Sequence, residues 1–285
     1  MTPGEVEKIF IDQMPGYYEP EEVKAIAALV LQHVCHFTKS YYLLHKNIDL
    51  SLAQETSIIR ILDELRFGKP VQHILGEADF FGLRFKVNPF VLVPRAETEE
   101  LVDWILSSIE TERMSHHTIL DIGTGSACIP IALKKQISAS TIFAMDISTQ
   151  ALDVANQNCA LNNVEINLLQ GDIQDTSFKI EGQLFDIIVS NPPYISYSEK
   201  ADMHPHVLAH EPHLALFVPD EEPLLFYKAI SDFALKNLAD GGLVFLEINE
   251  RYGSETAALF IERGFKTEIR NDLQGKDRML KAFRI

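Results

Sequence analysis

Four short stretches carry residue types that could do chemistry. In "IVSNPPYISY" (188–197) an apolar run ends in Asn191, then Pro192, Pro193 and Tyr194. Two consecutive prolines lack N–H groups and cannot continue a sheet ladder, so they make a stiff corner carrying an amide and a phenol. In "ILDIGTGSA" (119–127) an apolar run enters Gly123-Thr124-Gly125 and then a helical pattern. Glycines there let the backbone approach a ligand, and a following helix N-terminus offers free N–H groups. Taken alone, the same turn could be merely structural. Asp146 ends the next apolar run, "TIFAMD". An acidic residue at that place suits ribose hydroxyls, and the alternative is an N-cap for the helix starting near Ser148. "QGDI" (170–173) ends a third run. Asp172 could accept from an adenine amino group and Ile173 could lie against the ring, or Asp172 could be a solvated turn aspartate.

These stretches need elements to hold them. From Thr118 onward the pattern alternates strand, loop and helix. Strands are expected at Thr118–Ile122, Thr141–Ile147, Ile166–Gln170, Phe185–Ser190 and Leu243–Ile248. Helices are expected at Ala127–Gln136, Thr149–Asn162, Glu222–Leu238 and Tyr252–Gly264. Such alternation predicts an α/β fold with a mostly parallel sheet covered on both faces. Two strands after Gly264 have no helix between them and could form an antiparallel edge. In a sheet of order 3-2-1-4-5, the first and fourth strands are neighbours where the winding reverses, and ligands bind in that crevice. The glycine loop and Asn191 would then face each other. A dinucleotide-binding loop would want a third glycine, where Cys128 stands, so hydride transfer loses ground.

Before the sheet, residues 1–75 show helical spacing, with Pro20 and Ser51 as helix starts and Gly68 as a stop, and predict four or five helices. Residues 76–93 alternate around Gly82 and predict a β-hairpin linker to a domain at 94–285.

Composition narrows the partners. The 285 residues are 46% hydrophobic, enough for a full core, and the formal net charge is −16 with no Lys/Arg block. Phosphate-driven affinity needs a basic surface, so general nucleic-acid binding is disfavoured. No run of eighteen apolar residues exists, so no membrane span is expected, and the first residues do not read as a signal peptide. Cys35, Cys128 and Cys159 read as reduced thiols of a cytoplasmic protein. In "MHPHVLAHEPH" (203–213), His206 and His210 have helical spacing, but Pro205 and Pro212 argue for a loop, and no metal is expected.

Glycine loop, second-strand Asp, "GD" and "NPPY" in this order resemble the class I S-adenosyl-L-methionine-dependent methyltransferases, with "NPPY" marking those that act on planar exocyclic nitrogens. "PVQHILGEADFFGLRFKVNPFVLVPRAETEELV", "LDIGTGSACIPIALKK", "FDIIVSNPPYI", "EPHLALF" and "DLQGKDRML" resemble the release factor glutamine methyltransferase (PrmC) family from about Leu65 onward. That resemblance implies a seven-stranded Rossmann-like sheet preceded by a helical substrate-recognition domain. It implies methyl transfer from S-adenosyl-L-methionine to the glutamine of the Gly-Gly-Gln loop in class 1 peptide chain release factors. Gly123, Thr124, Gly125, Ser126, Ala127, Asp146, Asp172, Ile173 and Asn191 would hold the cofactor. Asn191, Pro192, Pro193 and Tyr194 would hold the substrate, with Asn191, Pro192 and Tyr194 catalytic.

Within that resemblance, the Asn191 side-chain oxygen and the Pro192 carbonyl would each accept one amide hydrogen, and Tyr194 would stack on the flat amide. Glu211-Pro212 would form a structural loop beside the site. "VPRAETE" could place Arg95, Glu97 or Thr98 at the cleft, or could be a helix N-terminus. The chain departs from the family at Ala127, commonly glycine, and at Ile173, often tryptophan. Ala127 is expected to be tolerable if already helical. A DNA adenine amino methyltransferase and a cofactor-binding module without turnover are the alternatives.

Overall fold

The computed structural model describes residues 1–14, 16, 18–110, 116–178, 180, 182–203 and 205–284. The chain divides into two compact units, one built on residues 1–76 with the 205–210 segment, the other on 77–203 and 211–285.

The first unit contains helices α1 (Pro3–Gln13), α2 (Pro20–Cys35), α3 (Lys39–Leu44), α4 (Leu52–Arg66) and α5 (Val71–Leu75). Thr2 and Ser51 close capping boxes over the first turns of α1 and α4, satisfying N–H groups that no helical carbonyl can reach. Pro20 opens α2, where its missing N–H leaves no helical bond unmade. Apolar residues three and four apart, among them Val6, Phe10, Val30, Leu31, Ile58, Leu62 and Leu65, meet in one core.

The second unit opens with the hairpin β1 (Glu77–Phe80) and β2 (Leu83–Lys86). Its turn needs two residues at positive φ, supplied by Phe81 and Gly82. Phe80 and Phe85 share a core with Leu101, Trp104 and Ile105 of α6 (Ala96–Glu110), so the hairpin is part of this unit. There follow β3 (Thr118–Ile122), α7 (Cys128–Gln136), β4 (Thr141–Asp146), α8 (Thr149–Asn162), β5 (Asn167–Gln170) and β6 (Phe185–Ser190). The chain continues through β7 (Ile195–Ser196), α9 (Pro205–His210), β8 (Phe217–Val218), α10 (Leu225–Asn237) and β9 (Leu238–Glu247). It ends with α11 (Gly253–Glu262), β10 (Lys266–Asn271) and β11 (Asp277–Phe283).

Seven strands form one sheet in the order β10-β11-β9-β6-β3-β4-β5. The five from β9 to β5 run parallel, and β11 and β10 add antiparallel at the edge. This is the expected 3-2-1-4-5 order, with the winding reversing between β3 and β6. Alternate residues of each central strand feed opposite faces. Ile119, Ile187 and Phe245 join the core under α6 and α7, while Leu120, Ile188 and Val244 join the one under α10 and α11.

Element ends match expectation to within three residues, except that β9 begins at Leu238 rather than Leu243 and turns through Gly241 at φ +74°. Two differences concern residues singled out in the sequence. Ala127 is not helical: it precedes α7 with φ +61°. A left-handed alanine costs roughly 1–2 kcal/mol. Glycine would relieve that but forfeit about 0.8 kcal/mol for the buried methyl and roughly 0.4–1 kcal/mol in the unfolded chain. The terms nearly cancel, which is why alanine can stand there. The second difference is the 205–210 segment, read as a loop because of Pro205 and found as α9. Pro205 takes the first helical position, where proline is favoured. His204 and the side chain of His206 lie outside the described residues.

Candidate active site

The carboxyl ends of β3, β4, β5 and β6 open onto a cavity of about 310 Å³ in the second unit. Gly123, Thr124, Gly125 and Ser126 form one wall, and Asn191, Pro192 and Pro193 form the wall facing it. Backbone and side-chain bonds hold this geometry. The N–H groups of Gly123 and Thr124 both donate to the Met145 carbonyl at 2.9 Å, which joins the loop to the end of β4. Ser190 Oγ donates to the Ile122 carbonyl at 2.6 Å and joins the ends of β6 and β3. Gly123 and Gly125 have φ of +74° and +53°, and a Cβ on either would meet nothing within 4 Å. A side chain there would stand in the cleft that the bare backbone now leaves clear.

Asp146 lines the cavity at the end of β4. Its Oδ2 accepts from the Gly125 N–H at 2.9 Å, and its Oδ1 accepts from the Ser148 N–H at 2.9 Å. The cap of α8 itself is Ser148, whose side chain accepts from Ala151. Burial raises the Asp146 pKa, and these backbone bonds oppose the rise. Asp172 and Ile173 also line the cavity. Asp172 Oδ1 accepts from the Gln174 N–H at 2.8 Å, the turn-aspartate reading, which leaves its other oxygen available to the cleft.

Two residues expected at the cleft do not line it. Ala127 is fully buried in the core beneath the loop. Tyr194 packs beside the core under α10, and its hydroxyl donates to Glu247 Oε1 at 3.0 Å. Burial pushes the phenol pKa well up.

Sequence reasoning left several members of the site unnamed or undecided. Thr98, in the first turn of α6, lines the cavity and donates to Glu247 Oε2 at 2.7 Å. It accepts from Asn191 Nδ2 at 3.2 Å. Glu247, at the end of β9, is buried, which raises its pKa against the opposing bonds from Thr98 and Tyr194. Arg95 lines the cavity and donates to the buried Glu211 at 2.5 Å. Burial raises the Glu211 pKa and Arg95 opposes the rise. "VPRAETE" is therefore both a helix start and a cleft wall. Asn158 of α8 is fully buried and donates to the Ser126 carbonyl at 2.9 Å, supporting the loop from behind. Only a polar residue on an apolar helix face could have marked it in the sequence.

Asp121 of β3 is the most unusual group. It is buried, and neither oxygen has a hydrogen-bond partner among the described residues. Burial pushes its pKa up to about 7, with the nearby Thr124 hydroxyl lowering it and the charge of Asp146 raising it further. Native protein therefore keeps a proton that the unfolded chain, near 3.8, has already lost, and unfolding free energy falls as pH rises from about 4 to about 7. Asp121→Asn should make the melting temperature less pH-dependent across that window. Some dependence should remain, because Asp146, Glu211 and Glu247 shift in the same direction. Melting curves from pH 5 to 8 check this; a variant as pH-dependent as the wild type would refute it.

Two carboxylates on the cavity wall, Asp146 and Asp172, suit a cationic ligand carrying hydroxyl groups. Among the described residues no three His, Cys, Asp or Glu side chains could share a metal ion.

Residues 101–214 match the family model for the methyltransferase small domain, and residues 18–76 match that for the PrmC N-terminal domain. The chain is 40% identical over 275 residues to a release factor glutamine methyltransferase of Flavobacterium psychrophilum, covering 96% of each chain. It is also 40% identical over 269 residues to one of Bacteroides thetaiotaomicron, covering 94% of this chain and 95% of that one. Among solved structures, a methyltransferase from Pyrococcus furiosus aligns with a TM-score of 0.51 at 18% identity, covering 81% of this chain and 98% of that one, which supports the fold. Near-full-length identity at this level leaves one assignment: the chain belongs to the release factor glutamine methyltransferase family.

Proposed function

We propose that this protein transfers a methyl group from S-adenosyl-L-methionine to the side-chain amide nitrogen of the Gly-Gly-Gln glutamine of a class 1 peptide chain release factor. The observation that carries the reading is 40% identity to release factor glutamine methyltransferases along nearly the whole chain, with Asn191, Pro192 and Pro193 lining the same cavity as the glycine loop.

Gly123, Thr124, Gly125 and Ser126 would cradle the donor, Asp146 would accept from its ribose hydroxyls, and Asp172 and Ile173 would meet its base. When bound, the donor supplies an electrophilic methyl on a sulfonium. A carboxamide nitrogen is a poor nucleophile because its lone pair is delocalised. Asn191 Oδ1 and the Pro192 carbonyl would each accept one of its hydrogens, orient it and stabilise the positive charge that develops on it. Tyr194 would act through Glu247 rather than by stacking on the substrate. Loss of the extra proton to water requires no protein base.

The helical unit would recognise the release factor, in the cytoplasm where such factors work. A net charge of −16 favours a protein substrate over a nucleic acid, and no helix among the described residues is long and apolar enough to cross a membrane. The test offers methyl-labelled donor with a release factor, with its Gln→Ala variant in Gly-Gly-Gln, and with DNA. Label confined to the intact motif supports the reading. Label in DNA, or cofactor binding without transfer, overturns it.

A further inference from the structure

The Asn191 amide can serve a substrate NH₂ group only if its oxygen, and not its nitrogen, faces the cleft. An amide has two ends of similar size, so something must choose between them. Glu247 and Thr98 make that choice in this fold. The Glu247 carboxylate accepts two hydroxyl groups, Thr98 at 2.7 Å on one oxygen and Tyr194 at 3.0 Å on the other. Thr98 has a single hydroxyl proton, and Glu247 takes it. Only lone pairs of Thr98 Oγ1 remain for Asn191, which meets them with Nδ2 at 3.2 Å. The reverse orientation would set Oδ1 against those lone pairs, oxygen to oxygen. Directionality therefore passes from a buried carboxylate through one hydroxyl to the amide.

The chain of contacts spans three elements that the sheet brings together. Thr98 is in α6, Asn191 follows β6, and Glu247 ends β9, the strand paired with β6. The Tyr194 end is anchored as well, since Asn249 Nδ2 donates to the Tyr194 carbonyl at 2.9 Å. Other groups near Glu247 are Arg278, whose charge favours the carboxylate, and Glu97, which opposes it. The Tyr227 hydroxyl is engaged by the Glu247 carbonyl and the Asn249 N–H, both at 3.3 Å, and does not compete for the carboxylate.

We propose that Glu247 and Thr98 are positioning residues for methyl transfer, fixing Asn191 with its side-chain oxygen toward the substrate amide. The inference rests on the function proposed above. Without an acceptor at 247, the Thr98 proton is released to Asn191 Oδ1. The amide then turns over and offers hydrogens to a substrate nitrogen that also carries hydrogens. Glu247→Gln is nearly isosteric but leaves one acceptor oxygen for two hydroxyl donors, so it no longer holds the Thr98 proton in one direction. Thr98→Val removes the link at equal volume, whereas Thr98→Ser keeps it.

The experiment measures release-factor methylation under saturating donor, together with donor affinity by calorimetry. T98V and E247Q should each lower kcat on the order of tenfold or more, a partial loss of positioned-acceptor stabilisation. Donor Kd should stay within about twofold, and T98S should keep most of the wild-type rate. The double variant should be little worse than either single one, because both break the same chain. Wild-type kcat in T98V, equal losses in T98V and T98S, or a fall explained by donor affinity would each overturn the inference. A wild-type enzyme that leaves the release-factor glutamine unlabelled overturns the functional reading and this one with it.

Discussion

Asn191→Ala should lower kcat by on the order of a hundredfold or more while leaving donor affinity close to that of the wild type. The size follows from losing a pre-aimed acceptor at a centre where positive charge develops, an effect of roughly 10²–10³ in other positioned sites. The selectivity for kcat follows from structure. Asn191 shares the cavity wall with Pro192 and Pro193, while the glycine loop and Asp146 lie on the other side. Truncation leaves Ser190 joined to Ile122 and the loop joined to Met145, so the opposite wall is undisturbed. Asn191→Asp is the sharper variant. It keeps an acceptor but places a second oxygen against Thr98, so it should recover only part of the rate. Single-turnover methylation of a release factor, with calorimetry for the donor, measures both parameters; near-normal turnover in Asn191→Ala would sink the assignment.

Asp146→Ala should have the opposite profile: donor affinity falls by on the order of a hundredfold or more, and kcat at saturating donor falls far less. Each hydrogen bond from a ligand hydroxyl to a carboxylate is worth about 1.5–3 kcal/mol, and 1.4 kcal/mol is tenfold in Kd. Two such bonds exceed a hundredfold even at the lower figure. A further loss comes from the loop, because Asp146 also accepts from the Gly125 N–H at 2.9 Å. Asp146→Asn should rescue little, since both carboxylate oxygens already accept from backbone N–H groups and an amide nitrogen would meet one of them donor to donor. Calorimetry with S-adenosyl-L-methionine gives the affinities. Unchanged affinity in Asp146→Ala would remove the ribose role and leave only its part in the loop.

The paired profiles also separate two kinds of residue by how visible they were in the sequence. Gly123, Gly125, Asp146, Asp172 and Asn191 were visible because parallel strands are apolar runs that stop abruptly, and the residues at the stops are the ones that face a ligand. Order along the chain then set them at the ends of known strands. The hairpin was visible for a related reason: apolar alternation on either side of a glycine has few other solutions.

Thr98, Glu247 and Asp121 had no such signal. Glu247 reads locally as one acidic residue after an apolar strand, and Thr98 reads as one polar residue in a helix start. They are 149 positions apart and meet only because α6 lies against the sheet beside β9. Asp121 sits inside a good strand, and only burial from every side reveals it as a carboxyl that holds its proton more tightly than usual.

The amino-acid sequence by itself determined the α/β class and the residues at the strand ends, because these follow from periodicity and from local backbone chemistry, while the family and its seven-stranded sheet were legible through the resemblance of its motifs. Tertiary structure alone decided which way the Asn191 amide points, that the Tyr194 hydroxyl is held by Glu247, and that Ala127 takes a left-handed turn beneath the loop. Those outcomes depend on hydrogen-bond direction and close packing between segments far apart in the chain, and no local pattern of residue types encodes either.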